Sequence, residues 1–240
     1  MTSTRYTPLT NPLFVAEIGV NHDGNFNLVY EMIRRAKAAG ADVAKFQFGW
    51  RDKPDEINCI TPERAIALRK WCDFHEIELL ASIIKPEALP LAEAAGLTRY
   101  KVASRTVIDH PDLVRRLIDS GKETFVSLGM WTGEDWPFGP PGGNLRYIFC
   151  RSHYPSFPED LVGFPERYGE DTYFGYSCHY QGSAAALMAI ARGAHFIEKH
   201  FTLNKASQVV KDHALSATPE EFAEMVRLGR EISRLHRALP

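Results

Sequence analysis

The strongest constraint on the fold is an alternation repeated eight times: a short β-rich run, then in most units an amphipathic helical stretch. The runs are Leu13–Gly19, Asp42–Gln47, Glu78–Ile83, Arg99–Ser104, Thr124–Gly129, Leu145–Cys150, Thr172–Ser177 and His195–His200. Helical patterns cover Leu28–Ala39, Pro62–His75, Pro86–Ala95, Pro111–Ser120, Pro158–Tyr168, Ser183–Arg192 and Pro219–Leu235. Several open on proline, whose missing N–H is harmless in a first helical turn. Strands that alternate with helices pair in parallel through right-handed crossovers. Eight such units predict an α/β fold, a closed (β/α)8 TIM barrel, as a single domain over residues 1–240. The fifth unit departs from the rule. Between Met130 and Asn144 the chain reads MWTGEDWPFGPPGGN, and its three prolines and four glycines predict that helix 5 is short or missing. A loop or a partner subunit would have to cover the resulting gap in the outer ring.

Charge excludes some function classes. With 28 Lys and Arg against 30 Asp and Glu, a net charge of −2 gives no global attraction to nucleic acid or to a membrane surface, so any anion site must be local. There is no long apolar run, and MTSTRYTPLTNP at the start has neither the apolar core nor the cleavage site of a signal peptide; the expectation is a cytoplasmic protein. Cys59, Cys72, Cys150 and Cys178 are widely spaced with no C-x-x-C pair, which suggests neither a disulfide framework nor a zinc knuckle.

In a barrel of this kind, catalytic groups come from the C-terminal ends of the strands. Those ends carry Glu17 with Asn21 and His22 beyond it, Lys45 with Gln47, Ser82, Lys101 with Ser104, Ser127, Ser152, Ser177 with His179, and Glu198 with Lys199 and His200. Lysine is almost never fully buried unless paired, so Lys45 and Lys101 within apolar strands point to an anion pocket at the barrel mouth. The serine hydroxyls would add neutral donors. His179 and His200 end neighbouring strands, and two imidazoles with few carboxylates suit a divalent ion with open positions, such as Mn2+, Fe2+, Co2+ or Zn2+.

Taken together, the segments AEIGVNHDGN (16–25), GADVAKFQ (40–47), YKVAS (100–104), SLGM (127–130), YPS (154–156), GYSCH (175–179), GAHFIEKHFT (193–202) and KDHALSATPEEF (211–222) resemble the sialic acid (N-acetylneuraminate) synthases and their spore-coat polysaccharide relatives. The resemblance implies a transferase of carbohydrate biosynthesis. It would condense phosphoenolpyruvate with an aldehyde amino-sugar, using a divalent metal, Mn2+ first among the candidates, to give a 2-keto-3-deoxy sugar acid. Carried over position by position, His179 and His200 match metal ligands, and Lys45, Lys101, Ser104, Ser127 and Ser177 match groups that hold phosphoenolpyruvate. Glu17 matches a residue of proton transfer and Asp212 one that meets the sugar hydroxyls. Asn21, His22, Gln47, Ser82 and Ser152 complete the expected substrate-binding set. The expected partners are phosphoenolpyruvate and an aldose, with a homodimer as the family's habit.

Several positions depart from the family pattern. Where relatives read Lys-Ile-x-Ser-Gly-Glu, Ser104 is followed by Arg105 and Thr106, so the strand-4 acid is gone. Cys178 stands where Ser-Asp-His is usual, and Ser152 or His153 replaces an asparagine. The loop Gly49–Ile60 is a short version of the family's closing loop, and the expectation is a barrel without the family's C-terminal antifreeze-like domain. These changes are expected to cluster on the acceptor-sugar side. Two rival readings are a barrel enzyme of different reaction, such as an aldolase or lyase on a small phosphorylated or carboxylated substrate, and a non-catalytic paralogue or scaffold.

Overall fold

A computed structural model describes residues 11–238. Residues 1–10, most of the segment read above as lacking a targeting signal, lie outside the described residues, and within them no helix is long and apolar enough to cross a membrane. Eight strands form the barrel: β1 (Leu13–Glu17), β2 (Val43–Phe48), β3 (Glu78–Ile83), β4 (Tyr100–Val102), β5 (Thr124–Ser127), β6 (Leu145–Cys150), β7 (Tyr173–Cys178) and β8 (Phe196–His200). They pair in parallel in chain order, and β8 closes back onto β1 with Glu17 beside His200. This is the predicted (β/α)8 barrel.

The outer layer holds α1 (Asn27–Ala38), α2 (Pro62–Phe74), α3 (Leu89–Ala94), α4 (Ser104–Asp109), α5 (Pro111–Asp119), α6 (Ala184–Ala191) and α7 (Pro219–Ala238). Pro62 opens α2 directly behind Thr61, whose hydroxyl accepts the Arg64 N–H at 3.3 Å and caps the helix. No helix follows β5, as the proline and glycine run predicted. One expectation fails: Pro158–Tyr168 forms only a four-residue 3-10 turn, Pro158–Leu161. Gly163 at φ +75° and Pro165 stop a helix there, although the sequence around them has a helical rhythm.

Aromatic side chains cover these two helix-free sectors. Trp136 stacks on Tyr147 at 4.5 Å, and the Tyr147 hydroxyl accepts the Phe138 N–H and donates to the Gly139 carbonyl. Farther on, Phe164 packs edge-on against Phe149 and Tyr176.

Inside the barrel, alternation decides everything. Leu13, Val15, Val43, Leu80, Phe125, Ile148, Phe174 and Phe196 form the inner apolar cluster. Residues two steps farther along several of these strands, including Glu17, Lys45, Ser82, Ser127 and Glu198, make a polar layer above it. Strand β7 reaches this arrangement only through a register shift, because Tyr147 pairs with Tyr173 but Ile148 pairs with Gly175. The extra residue resets parity, so Phe174 joins the inner cluster while Ser177 and His179 also face inward at the mouth. Gly175 sits at the shift, where an added Cβ would lie 2.2 Å from the Phe196 carbonyl oxygen. Gly175→Ala is therefore expected to destabilise the fold by about 3 kcal/mol, read as a fall in thermal midpoint. An unchanged midpoint would show that β7 and β8 separate freely.

Candidate active site

A cavity of about 660 Å³ opens at the C-terminal end of the strands, a size ordinary for a small-molecule site. Twelve of the fourteen expected site residues line it: Glu17, Lys45, Gln47, Ser82, Lys101, Ser104, Ser127, Ser152, Ser177, His179, His200 and Asp212. Asn21 and His22 do not. After β1 the chain turns at Gly19, whose φ of +51° and close approach to the Glu17 carboxylate suit only glycine, and the next residues run under neighbouring loops. Asn21 donates to the Phe201 carbonyl, and His22 meets Asn58. Their placement corrects the expectation that they touch substrate.

The cavity floor is a buried charge network. Lys45 Nζ lies 2.5 Å from Glu17 Oε2 and 3.5 Å from Glu198 Oε1, and Lys101 Nζ lies 3.8 Å from Glu198 Oε2. Ser177 donates to Glu198 at 2.9 Å, Gln47 donates to Glu17 at 2.6 Å, and Lys101 donates to Ser127 at 2.5 Å. Burial opposes the charged forms of Lys45, Lys101 and Glu198, and their charged neighbours decide the outcome at each. Burial pulls the Lys45 ammonium down, but Glu17 and Glu198 together hold it above its ordinary value. Burial opposes the Glu198 carboxylate as well, and Lys101 and Lys45 hold it well below the usual range. Lys101 is lowered by burial, with Lys45 adding to the effect.

Two lysines facing two carboxylates cancel in formal charge. This revises the expectation that the lysines by themselves compensate a polyanion. Positive charge without an ion-pair or hydrogen-bonded side-chain partner among the described residues comes instead from Arg51, Arg105 and Lys211, which line the same cavity. Sequence reasoning left these three, Tyr154 and Glu198 out of the expected site set, although it named Arg105 as a departure and Glu198 at a strand end. Glu198 was within reach of it, because strand alternation puts residue 198 on the same face as His200. Arg51 and Tyr154 sit on loops, Arg105 in the short helix α4 and Lys211 at the start of a 3-10 turn, where strand periodicity does not operate.

The two histidines meet at the far wall with ring centroids 5.4 Å apart, and Tyr154 lies 4.1 Å from His179. His179 Nδ1 lies 2.6 Å from the Arg151 carbonyl oxygen. A carbonyl only accepts, so Nδ1 carries the proton and Nε2 keeps its lone pair. Burial, reinforced by His200, pushes the His179 pKa down to about 3, leaving a neutral imidazole at neutral pH. That is the form a divalent ion requires. Asp212 Oδ2 stands 3.8 Å from His200 Nδ1. Among the described residues no group of three or more His, Cys, Asp or Glu is placed to hold an ion, so protein donors here amount to an imidazole pair with open positions.

Comparison with known proteins decides the lineage. The sequence model of the NeuB family matches residues 55–238. The chain belongs to the NeuB family. An uncharacterized protein of Methanocaldococcus jannaschii is 30% identical over 96% of this chain and 74% of its own length. The human N-acetylneuraminate-9-phosphate synthase is 29% identical over 93% of this chain and 71% of its own length. Among solved structures, the N-acetylneuraminic acid synthetase of Leptospira borgpetersenii, crystallised with citrate, superposes with a TM-score of 0.79 at 25% identity, covering 94% of this chain and 85% of that one. The named relatives place this chain in a family of sugar-acid synthases.

The departures from the NeuB pattern separate in space. Thr106 is buried and donates to the Ile84 carbonyl at 3.1 Å, which makes it part of the scaffold. Cys178 faces outward from β7 and is fully buried in the outer core, with its Sγ 3.8 Å from the Lys199 ammonium. His153 is exposed and paired with Asp160. Of the single-residue changes only Arg105 and Ser152 line the cavity, joined there by Trp50 and Arg51 of the shortened loop.

The floor network fixes a pH response. Glu198 is held from 4.5 down to about 2, so its ionised form stabilises the fold above pH 4.5. That contribution is lost as pH falls through this window. Urea unfolding measured between pH 5 and about 2 is expected to show stability falling with acid, and a shallower fall in Glu198→Gln.

Proposed function

We propose that the protein condenses phosphoenolpyruvate with the aldehyde carbon of an aldose, releasing phosphate and giving a 2-keto-3-deoxy sugar acid. The observation that carries this reading is one cavity that holds buried Lys45 and Lys101, a set of serine hydroxyls and an imidazole pair. Membership of a family that includes N-acetylneuraminate-9-phosphate synthase supports it.

Ser104, Ser127, Ser152, Ser177 and Ser82 offer hydroxyl donors to the carboxylate and phosphate of phosphoenolpyruvate. Lys101 and Lys45 add charge-assisted hydrogen bonds as the floor network rearranges around the bound anion. Because the floor is neutral as a unit, Arg51, Arg105 and Lys211 at the rim offset the remaining charge. His179 and His200 would hold a divalent ion, Mn2+ in the first instance, which when bound supplies Lewis-acid polarisation and positive charge beside the acceptor.

In the reaction, the C2–C3 π electrons of phosphoenolpyruvate form the new C–C bond to the aldehyde carbon, the C=O π bond opens, and the resulting alkoxide takes a proton from solvent. Water then adds to the cationic C2 and loses a proton to Glu17. Two of the Glu17 carboxylate's acceptor sites are taken by Lys45 and Gln47, which leaves sites for that water. Collapse of the hemiketal phosphate breaks the C2–O bond and expels inorganic phosphate, the hydroxyl proton going to solvent. Asp212 is placed to accept from acceptor hydroxyls.

The test is phosphate release from purified protein with Mn2+, phosphoenolpyruvate and a panel of aldoses with and without acylamino groups. Release with one of them is expected, and Lys101→Met should lower kcat/KM by about 100-fold or more. No release, with no phosphoenolpyruvate binding by calorimetry, overturns the proposal. Turnover of a phosphorylated or carboxylated compound without phosphoenolpyruvate would establish the aldolase or lyase reading instead. Titration with Mn2+ alone checks the metal: wild type binds, while His179→Ala and His200→Ala lose at least tenfold in affinity.

A further inference from the structure

The tripeptide Asn21, His22 and Asp23 lies outside the cavity lining, yet each side chain ends on a loop that supplies it. Asn21 Nδ2 donates to the Phe201 carbonyl and to Ser216 Oγ, each at 2.9 Å, and Ser216 Oγ in turn donates to the Asp212 carbonyl at 2.6 Å. Asp23 Oδ1 lies 2.7 Å from His213 Nε2, and Oδ2 accepts from Ser207 Oγ at 2.7 Å. A carboxylate accepts only, so His213 carries its proton on Nε2 and its Nδ1 accepts from Thr202 Oγ1 at 2.7 Å. His213 is 1% exposed. Asn21 and Asp23 thus fasten the segment 202–216, which brings Val209, Val210, Lys211 and Asp212 to the cavity.

His22 acts on a different loop. Asn58 Nδ2 donates to the Gln47 and Trp50 carbonyls at 2.8 and 2.9 Å, which fixes its Oδ1 towards His22 Nε2 at 3.3 Å. That oxygen needs a donor, so His22 holds its proton on Nε2. The bond sets the segment 49–60, which brings Trp50 and Arg51 to the same cavity. Asp23 reaches its partner with φ at +54°, a left-handed conformation that aspartate tolerates better than most residues.

We infer that Asn21, His22 and Asp23 are positioning residues: one bracket at the end of β1 that sets both loops forming the rim of the site. Three adjacent side chains take two loops from opposite parts of the sequence, through separate sets of hydrogen bonds. The arrangement accounts for Asn21, His22 and Asp23 in one segment and for His213 and Ser216 in the other without giving any of them contact with substrate.

The bracket is tested by hydrogen exchange on the full chain without ligand. Asp23→Ala is expected to speed exchange across residues 202–216 by about tenfold or more, with the β strands and residues 49–60 unchanged. His22→Ala should give the converse pattern, fast exchange in 49–60 alone. Asp23→Asn, which keeps an acceptor for His213, should restore most of the protection. Unchanged exchange in 202–216 for Asp23→Ala, or equal acceleration through the barrel strands, overturns the bracket. Its catalytic consequence rests on the synthase reading: in Asp23→Ala the KM for the aldose rises while phosphoenolpyruvate affinity by calorimetry stays as in wild type. Equal loss of both overturns the positioning of the acceptor side. If no aldose turns over, the synthase reading fails while the exchange pattern still decides the bracket.

Discussion

Four buried charges at the centre of the barrel, Glu17, Lys45, Lys101 and Glu198, are the condition on which the upper half of the molecule depends. Lys45 and Glu198 keep their charges in so dry a place only through these partners, and removal of one partner leaves another uncompensated. Strands β1, β2, β4 and β8 each contribute one member. The network therefore ties barrel closure to the chemistry of the mouth, since Glu17 and Glu198 come from the two strands that close it. It also sets the electrostatics: with the centre neutral, the positive charge of the mouth lies outward, on Arg51, Arg105 and Lys211.

The polar layer exists because the apolar layer below it is complete. Phe125, Phe174 and Phe196 fill the lower barrel with rings 4.6 and 6.2 Å from Phe125, so water is excluded beneath the charges. The register shift in β7 reconciles the two layers, giving Phe174 to the lower and Ser177 and His179 to the upper. A regular strand would have had to sacrifice one of them.

Much of this was legible in the sequence because it rests on periodicity. All eight strands were found, with Glu78–Ile83 and Leu145–Cys150 matching to the residue. Eleven of the expected site residues line one cavity because strand ends in a barrel have only one place to go, and Asp212, matched through the resemblance, joins them there. What escaped was tertiary in origin. The Pro158–Tyr168 stretch carries a helical rhythm that Gly163 and Pro165 defeat, and α4 at Ser104–Asp109 is too short to announce itself. Asn21 and His22 looked like site residues because they follow a strand end, but a turn at Gly19 carries them beneath the rim. That Glu17 and Glu198 both pair with Lys45 is a property of the strand register.

The aromatic covering of the β5 and β6 sectors gives the molecule an uneven mutational landscape. A surface helix tolerates change over its exposed face, since its backbone ladder and several buried positions share the work. Around Trp136 and Phe164 no such ladder exists, and cover depends on a few rings and on the Tyr147 hydroxyl. Loss of one ring there uncovers the strand beneath it. Drift among descendants of this chain is therefore free on the helical side of the barrel and confined on the other, where the identity of single aromatic residues stands in for a whole element of structure.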